Sequence, residues 1–300
     1  MVVGWVGIRA IMAILGNRGS QPQSQIYTIA MPDDSENRDL GMAWAGAWIA
    51  AACQGVTALR PRWSGRPGRL ARALGAGLGG AFVGFVLLKT LAPRLAELSP
   101  ARQALAGLIP LHLAALGAVV MALADAPGGP ARALRLEPPG PRLHGWLRLA
   151  LGRLLWVYPA TLGLSVFMIL LYKWFHWTLP GNPILTMLHD ESSPIWMIPV
   201  CAAIMIWAPL AEEILFRTVL TDGLRSVLPV RVAVLGSALL FAGAHGLPAQ
   251  LPALLLLALV LQQLRTATGS LWPAVFLHSA YNSTSLALLL VAEAAGIPTG

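Results

Sequence analysis

Apolar residues in this chain come in long blocks rather than in alternation or on a single helical stripe. Eight blocks stand out, at 41–59, 73–92, 103–124, 149–172, 195–220, 230–246, 249–264 and 271–292. A membrane-spanning helix needs about 20 mainly apolar residues. Six blocks meet that length or come close, while 230–246 and 249–264 are short and predict tilted, kinked or partly re-entrant helices. No connection between blocks is long enough to fold by itself, and no internal repeat is visible. The expected fold is therefore all-α, a polytopic transmembrane bundle of about eight membrane helices. Three regions divide it: an N-terminal segment at 1–40, N-terminal transmembrane helices at 41–190, and a core at 195–295. Residues 1–16 are apolar but short, with Arg9 inside them. They read as a weak anchor, or else the chain starts at Met31, just before the acidic run Asp33-Asp34-Ser35-Glu36.

Composition agrees. Of 300 residues, 56% are hydrophobic and 11% charged, against roughly 25% charged in soluble domains. So few charges cannot coat a soluble body, and so much hydrophobicity excludes a disordered chain. The net charge of +8 comes almost wholly from arginine. In a soluble protein it would suggest nucleic acid, but these arginines lie between apolar blocks, where they set membrane orientation. No nucleic-acid partner is expected. The two cysteines, Cys53 and Cys201, both sit in apolar runs and form no disulfide framework.

The arginines choose a side. Arg60, Arg62, Arg66, Arg69 and Arg72 fill one connection, and Arg132, Arg135, Arg142, Arg148 and Arg153 flank another. Arg225 with Arg231, and then Arg265, follow at alternate turns. The opposite connections hold Lys89, Arg94, Arg102 and Lys173. The arginine-rich connections are thus expected to be cytoplasmic. Gly75, Gly79, Gly80 and Gly84 make two overlapping small-xxx-small steps, which predict close helix packing. Tryptophans near block ends, such as Trp146, Trp174 and Trp272, read as interfacial anchors.

The informative residues are polar ones inside apolar blocks, where ionisable groups cost several kcal/mol and are usually functional or paired. Glu212-Glu213-Ile214-Leu215-Phe216-Arg217 lies within the fifth block. Glu213 and Arg217 are four apart on one helix face, acid first, which suits an ion pair. Glu212 points about 100° away and is not neutralised by that pair. Phe241-Ala242-Gly243-Ala244-His245 ends the sixth block, with small residues that permit close approach. His278 and Asn282 share a face of the eighth block, and two donors on one face suit a developing oxyanion. A carboxylate in low dielectric can be tuned toward general-base work. No GxSxG elbow or HExxH pair is present, although Glu212, His245 and His278 are chemically able to bind zinc. The residues describe water-mediated peptide hydrolysis without a covalent intermediate. Counted from the expected cytoplasmic ends, Glu212 and His278 lie about 10–15 Å deep and His245 about 22 Å. The three meet only if the sixth helix is tilted or broken.

The three motifs, EExxxR, FxxxH and HxxxN in that order, resemble those of the CPBP family of intramembrane proteases, which includes the CAAX prenyl endopeptidases. The stretch Arg265-Thr266-Ala267-Thr268-Gly269-Ser270-Leu271-Trp272-Pro273 looks like the family as well. The resemblance covers about residues 195–295. It implies a glutamate-dependent endopeptidase, without metal or other cofactor, in which Glu212 and His245 activate water and His278 and Asn282 stabilise the oxyanion. Glu213, Arg217 and Phe241 would shape the site. The implied partners are the lipid bilayer and a membrane-embedded or lipidated polypeptide substrate. An alanine- and arginine-rich composition points to a bacterial inner membrane. Two other readings stay open: a non-proteolytic relative serving as scaffold or in bacteriocin self-immunity, and a proton-coupled transporter using the same polar groups, against which the lack of repeated halves counts.

Overall fold

The computed structural model describes residues 67–179, 187 and 194–295. The 1–40 segment and the expected span 41–59 lie outside the described residues. Among these residues, six helices are long and apolar enough to cross a membrane, and a shorter apolar helix accompanies them. The all-α membrane bundle is therefore what the chain forms, and it is an integral membrane protein.

In chain order the helices are α1 (Pro67–Leu95), α2 (Pro100–Ala122) and α3 (Leu143–Trp174), followed by α4, α5 (Val230–Gly243), α6 (Leu251–Thr268) and α7 (Trp272–Ala294). α4 is the rod Ile195–Arg225. The block at 249–264, expected to be short, is a full-length candidate span. The block at 230–246 is indeed short, because its helix stops at Gly243.

Successive helices run in opposite directions, which sorts their ends into two faces. On one face lie the start of α1, the end of α2, the start of α3, the end of α4, the start of α5 and the α6–α7 turn. Contacts across that face tie it together. Arg72 at the start of α1 pairs with Asp125 beyond α2 at 3.0 Å. Its hydrogen bond holds the Asp125 carboxyl below the usual carboxylate range. Leu271 N donates to Arg135 O at 3.1 Å, and Trp272 Nε1 donates to Glu137 O at 3.0 Å. This is the arginine-rich face.

Burial ranks the helices. Of the most apolar window of each, 56% is buried in α6 and 50% in α7, but only 11% in α1 and 17% in α2. α6 and α7 are thus central, and α3 packs on both. Val157 and Ala150 of α3 meet Leu257, Leu261, Leu264, Leu277 and Tyr281 in one core cluster. Tyr281 Oη donates to Thr161 Oγ1 at 3.0 Å, so a buried hydroxyl finds a partner across helices.

α1 and α2 form a peripheral hairpin. A Cβ on Gly80 would lie 2.4 Å from Ala114 O, and one on Gly84 would lie 3.0 Å from Leu111 Cα. Here glycine lets two backbones touch, as small residues do in membrane interfaces. Gly75 and Gly79 have nothing within 4 Å of such a Cβ. The expected close packing thus holds for the Gly80–Gly84 step and not for Gly75 and Gly79, which face away from α2.

Candidate active site

α4 is not a uniform α-helix. Ala203–Trp207 and Glu213–Leu220 are π-helical, on either side of Ala208–Glu212. The sequence gives a reason for the first widening. Ala208 N donates to Ala203 O, five residues back. In that register Ile204 O would be served by residue 209, which is Pro209 and has no N–H. The orphaned carbonyl instead accepts from Asn282 Nδ2 of α7 at 3.0 Å. In the second π segment, Phe216 O takes two hydroxyl donors, Thr221 Oγ1 at 2.7 Å and Ser237 Oγ of α5 at 3.0 Å. Isolated π turns free carbonyls and occur often at functional sites. Here Ile204 O, orphaned by Pro209, and Phe216 O, which also keeps the Thr221 N–H, each accept from a neighbouring helix and bind it to the rod that carries the glutamates.

Glu213 is fully buried, as expected for a paired carboxylate. Its Oε2 accepts from Arg217 Nε at 3.1 Å, and its Oε1 meets His278 Nδ1 at 3.0 Å. Phe241 fills the space between these groups. Its ring centroid lies 4.4 Å below the Arg217 guanidinium carbon, a cation–π arrangement. The same ring stands 4.9 Å from the His245 ring and 5.8 Å from the His278 ring.

Glu212 points elsewhere, one helical step around, as its position in the sequence required. Its Oε2 is 3.9 Å from His245 Nε2 and 3.8 Å from His278 Nε2. Both separations exceed a direct hydrogen bond. Glu212 Oε2 and His278 Nε2 are buried with no partner, and so is Asn282 Oδ1.

His245 follows directly on the end of α5. The helix stops at Gly243, and a turn follows in which Gly246 takes φ +63°. That left-handed value suits glycine, which has no Cβ to clash. His245 Nδ1 lies 2.6 Å from Phe241 O. A neutral imidazole that donates from Nδ1 carries its lone pair on Nε2. Counted on the observed helices, Glu212 lies 13 residues before the end of α4 at Arg225 and His245 lies 15 residues after the start of α5 at Val230, so both sit about 20 Å deep, and the longer α4 rather than a break in α5 brings them level.

The polar groups form the floor of a cavity of about 550 Å³. Glu212, His245 and Asn282 line its inner end, and apolar residues of α2 and α4, among them Leu105, Leu108, Val200 and Ile204, line its walls. Among the described residues, no group of three or more His, Cys, Asp or Glu side chains is arranged to hold a metal ion.

Residues 194–284 match the family model described as Type II CAAX prenyl endopeptidase Rce1-like. This part of the chain is CAAX-protease-like. The match falls on the segment that carries all three motifs, and it supports a CAAX-type intramembrane protease in general. Neither a curated protein nor a solved structure matches the chain.

Two features of the CAAX-protease-like core escape the motif pattern. Arg265 counts in sequence as one of the orienting arginines of a connection, yet it is 1% exposed. Its Nη1 donates to Asp222 Oδ1 at 3.1 Å, and its Nη2 donates to Asp222 Oδ2. Glu212, Glu213 and Arg217 are therefore not the only charges set deep in this core. Asp222, ten residues beyond Glu212 and just past the end of the fifth apolar block, was the available signal. The second feature is the cavity wall supplied by α2, where no motif marks Leu105 or Leu108.

Proposed function

We propose that the protein is an intramembrane endopeptidase that hydrolyses a peptide bond near the end of a membrane-anchored or lipidated polypeptide. The observation that carries the proposal is the placement of the unpartnered Glu212 Oε2, 3.8–3.9 Å from two imidazole nitrogens at the floor of an apolar cavity. A gap of that width between three polar atoms suits a bridging water.

In this reading Glu212 takes a proton from that water as its oxygen attacks the carbonyl carbon. His245 Nε2 accepts the water's other proton in a hydrogen bond and so orients it. The carbonyl oxygen becomes an oxyanion facing His278 and Asn282. His278 turns Nε2 toward the oxyanion while its Nδ1 lies 3.0 Å from Glu213 Oε1, which fixes the ring. Asn282 Nδ2 gives one N–H to Ile204 O and keeps its second for the oxyanion. The C–N bond then breaks, and the proton held by Glu212 passes to the leaving amine. Arg217 and Phe241 act by positioning Glu213 and the imidazoles. Residues 195–295 form the catalytic core in this proposal, 41–190 are the N-terminal transmembrane region, from which α2 adds a wall, and the bacterial inner membrane is its location.

General acid–base groups contribute about 10²–10⁴-fold to rate. Glu212→Gln and Glu212→Ala are expected to lower cleavage by that factor while insertion and protein level stay normal. Comparing the C-terminal ends in membrane proteomes of cells carrying either form checks this. Unchanged processing in Glu212→Ala would sink the proteolytic reading, and a phenotype that survives the substitution would favour the scaffold reading.

A further inference from the structure

The candidate site is plugged at one face of the bundle, and its cavity extends toward the other. Toward the arginine-rich face, α4 continues from Glu212 into two buried ion pairs, Glu213 with Arg217 and Asp222 with Arg265. Phe241 lies over the first pair, and Thr221 is hydrogen-bonded to Ser237 beside the second. Arg217, Arg265 and Phe241 are each at most 1% exposed. Charged groups held this way are costly to part, so this end offers no ready path.

Toward the opposite face the cavity continues. Its lining climbs α2 from Leu108 to Pro100 and α4 from Ala208 back to Val200, with Gln103 as the polar residue near the outer end. Eight residues of α2 at 1.5 Å each give about 12 Å of wall. An extended peptide advances about 3.3 Å per residue, so that wall accommodates roughly four residues. A volume of about 550 Å³ is in the range of small-ligand sites and excludes a folded domain. The walls ask for apolar side chains.

Charge assigns the faces. Arg69, Arg72, Arg132, Arg142, Arg225 and Arg231 gather at the plugged end, while Lys89, Arg94, Arg102 and Lys173 are the basic residues toward the open one. The arginine-rich end is cytoplasmic by the positive-inside rule. We infer that this site takes its substrate from the extracytoplasmic face. The occupant is a short, apolar, extended stretch of an exported, membrane-anchored polypeptide, cut where it leaves the membrane on that face. A tail presented from the cytoplasm, as a prenylated cytosolic protein would present it, does not reach Glu212. This inference rests on the proteolytic reading of the site.

Two measurements test it separately from that reading. In a background with Cys53→Ser and Cys201→Ser, Gln103→Cys is probed with a membrane-impermeant maleimide, and Arg142→Cys serves as the control for the other face. In right-side-out vesicles the Gln103→Cys variant is expected to label at least ten-fold faster than in inverted vesicles, with Arg142→Cys showing the reverse. Preferential labelling of Gln103→Cys in inverted vesicles would overturn the inference. In the membrane proteome, new ends that depend on Glu212 are expected in extracytoplasmic segments of their parent proteins. Glu212-dependent ends in cytoplasmic segments would overturn the sidedness and leave the protease standing. Absence of any such ends, with labelling as expected, would remove the protease and keep the open face.

Discussion

The α1–α2 hairpin and the α4–α7 core are built from similar hydropathy and held together by different physics. The hairpin has glycine where its backbones meet and apolar side chains such as Phe82, Val83 and Leu87 exposed on its outer surface. Lipid tails are as apolar as these side chains, so no hydrophobic force draws the two helices together within the bilayer, and close packing must do so, with the Arg72–Asp125 pair joining their ends. The core instead buries Glu213, Arg217, Asp222, Arg265, His278 and Asn282. Ionic and hydrogen-bonded partners fix each helix at one depth and one rotation, and the proposed catalysis needs that definition. The hairpin contributes a wall through α2, the core contributes the polar groups, and the cavity lies where the two meet.

The largest effect expected on the core is loss of the Asp222–Arg265 pair. Removing one partner of a buried ion pair costs about 3–5 kcal/mol because it strands the other charge. Asp222→Ala should therefore unfold at markedly lower denaturant or temperature in detergent, whereas Asp222→Leu combined with Arg265→Met should recover part of the loss, because Arg225, 3.6 Å from Asp222, keeps its charge. If the single variant is as stable as the parent, the core is not held by its charges. For the hairpin, Gly80→Val pushes a side chain into Ala114 O and should cost about 1–3 kcal/mol. Cleavage should fall with it, since α2 forms the cavity wall. Activity that survives a separated hairpin would cut the link between the two regions.

Smaller changes sharpen the contrast. Tyr281→Phe removes the hydrogen bond to Thr161 and should cost about 0.6 kcal/mol, the average for interhelical bonds in a membrane. Gly79→Ala meets no neighbour and should be neutral or stabilising by up to about 1 kcal/mol. A large loss for Gly79→Ala would show that the hairpin has a partner on its outer side. Equal effects of Gly79→Ala and Gly80→Val would mean that the α1–α2 contact is not what glycine serves there.

By itself the sequence determined that this chain lives in a membrane, since block length and charge content answer to the thickness and polarity of a bilayer. It also determined the split roles of Glu212 and Glu213, because adjacent helical residues point about 100° apart whatever surrounds them. The Glu213–Arg217 pair followed from four-residue spacing. The short sixth block was visible too, but the extension of α4 to Arg225, which sets Glu212 as deep as His245, was not. Tertiary structure decided the rest. Arg265 read as an orienting surface charge because nothing local reveals a partner 43 residues away. Asn282 was paired with His278 by spacing, yet its amide is anchored by a carbonyl that Pro209 orphaned on another helix. The cavity walls on α2 carry no signature, since any apolar residue of suitable size fills them. Local rules set what each residue can do, and only long-range packing sets which partner it meets.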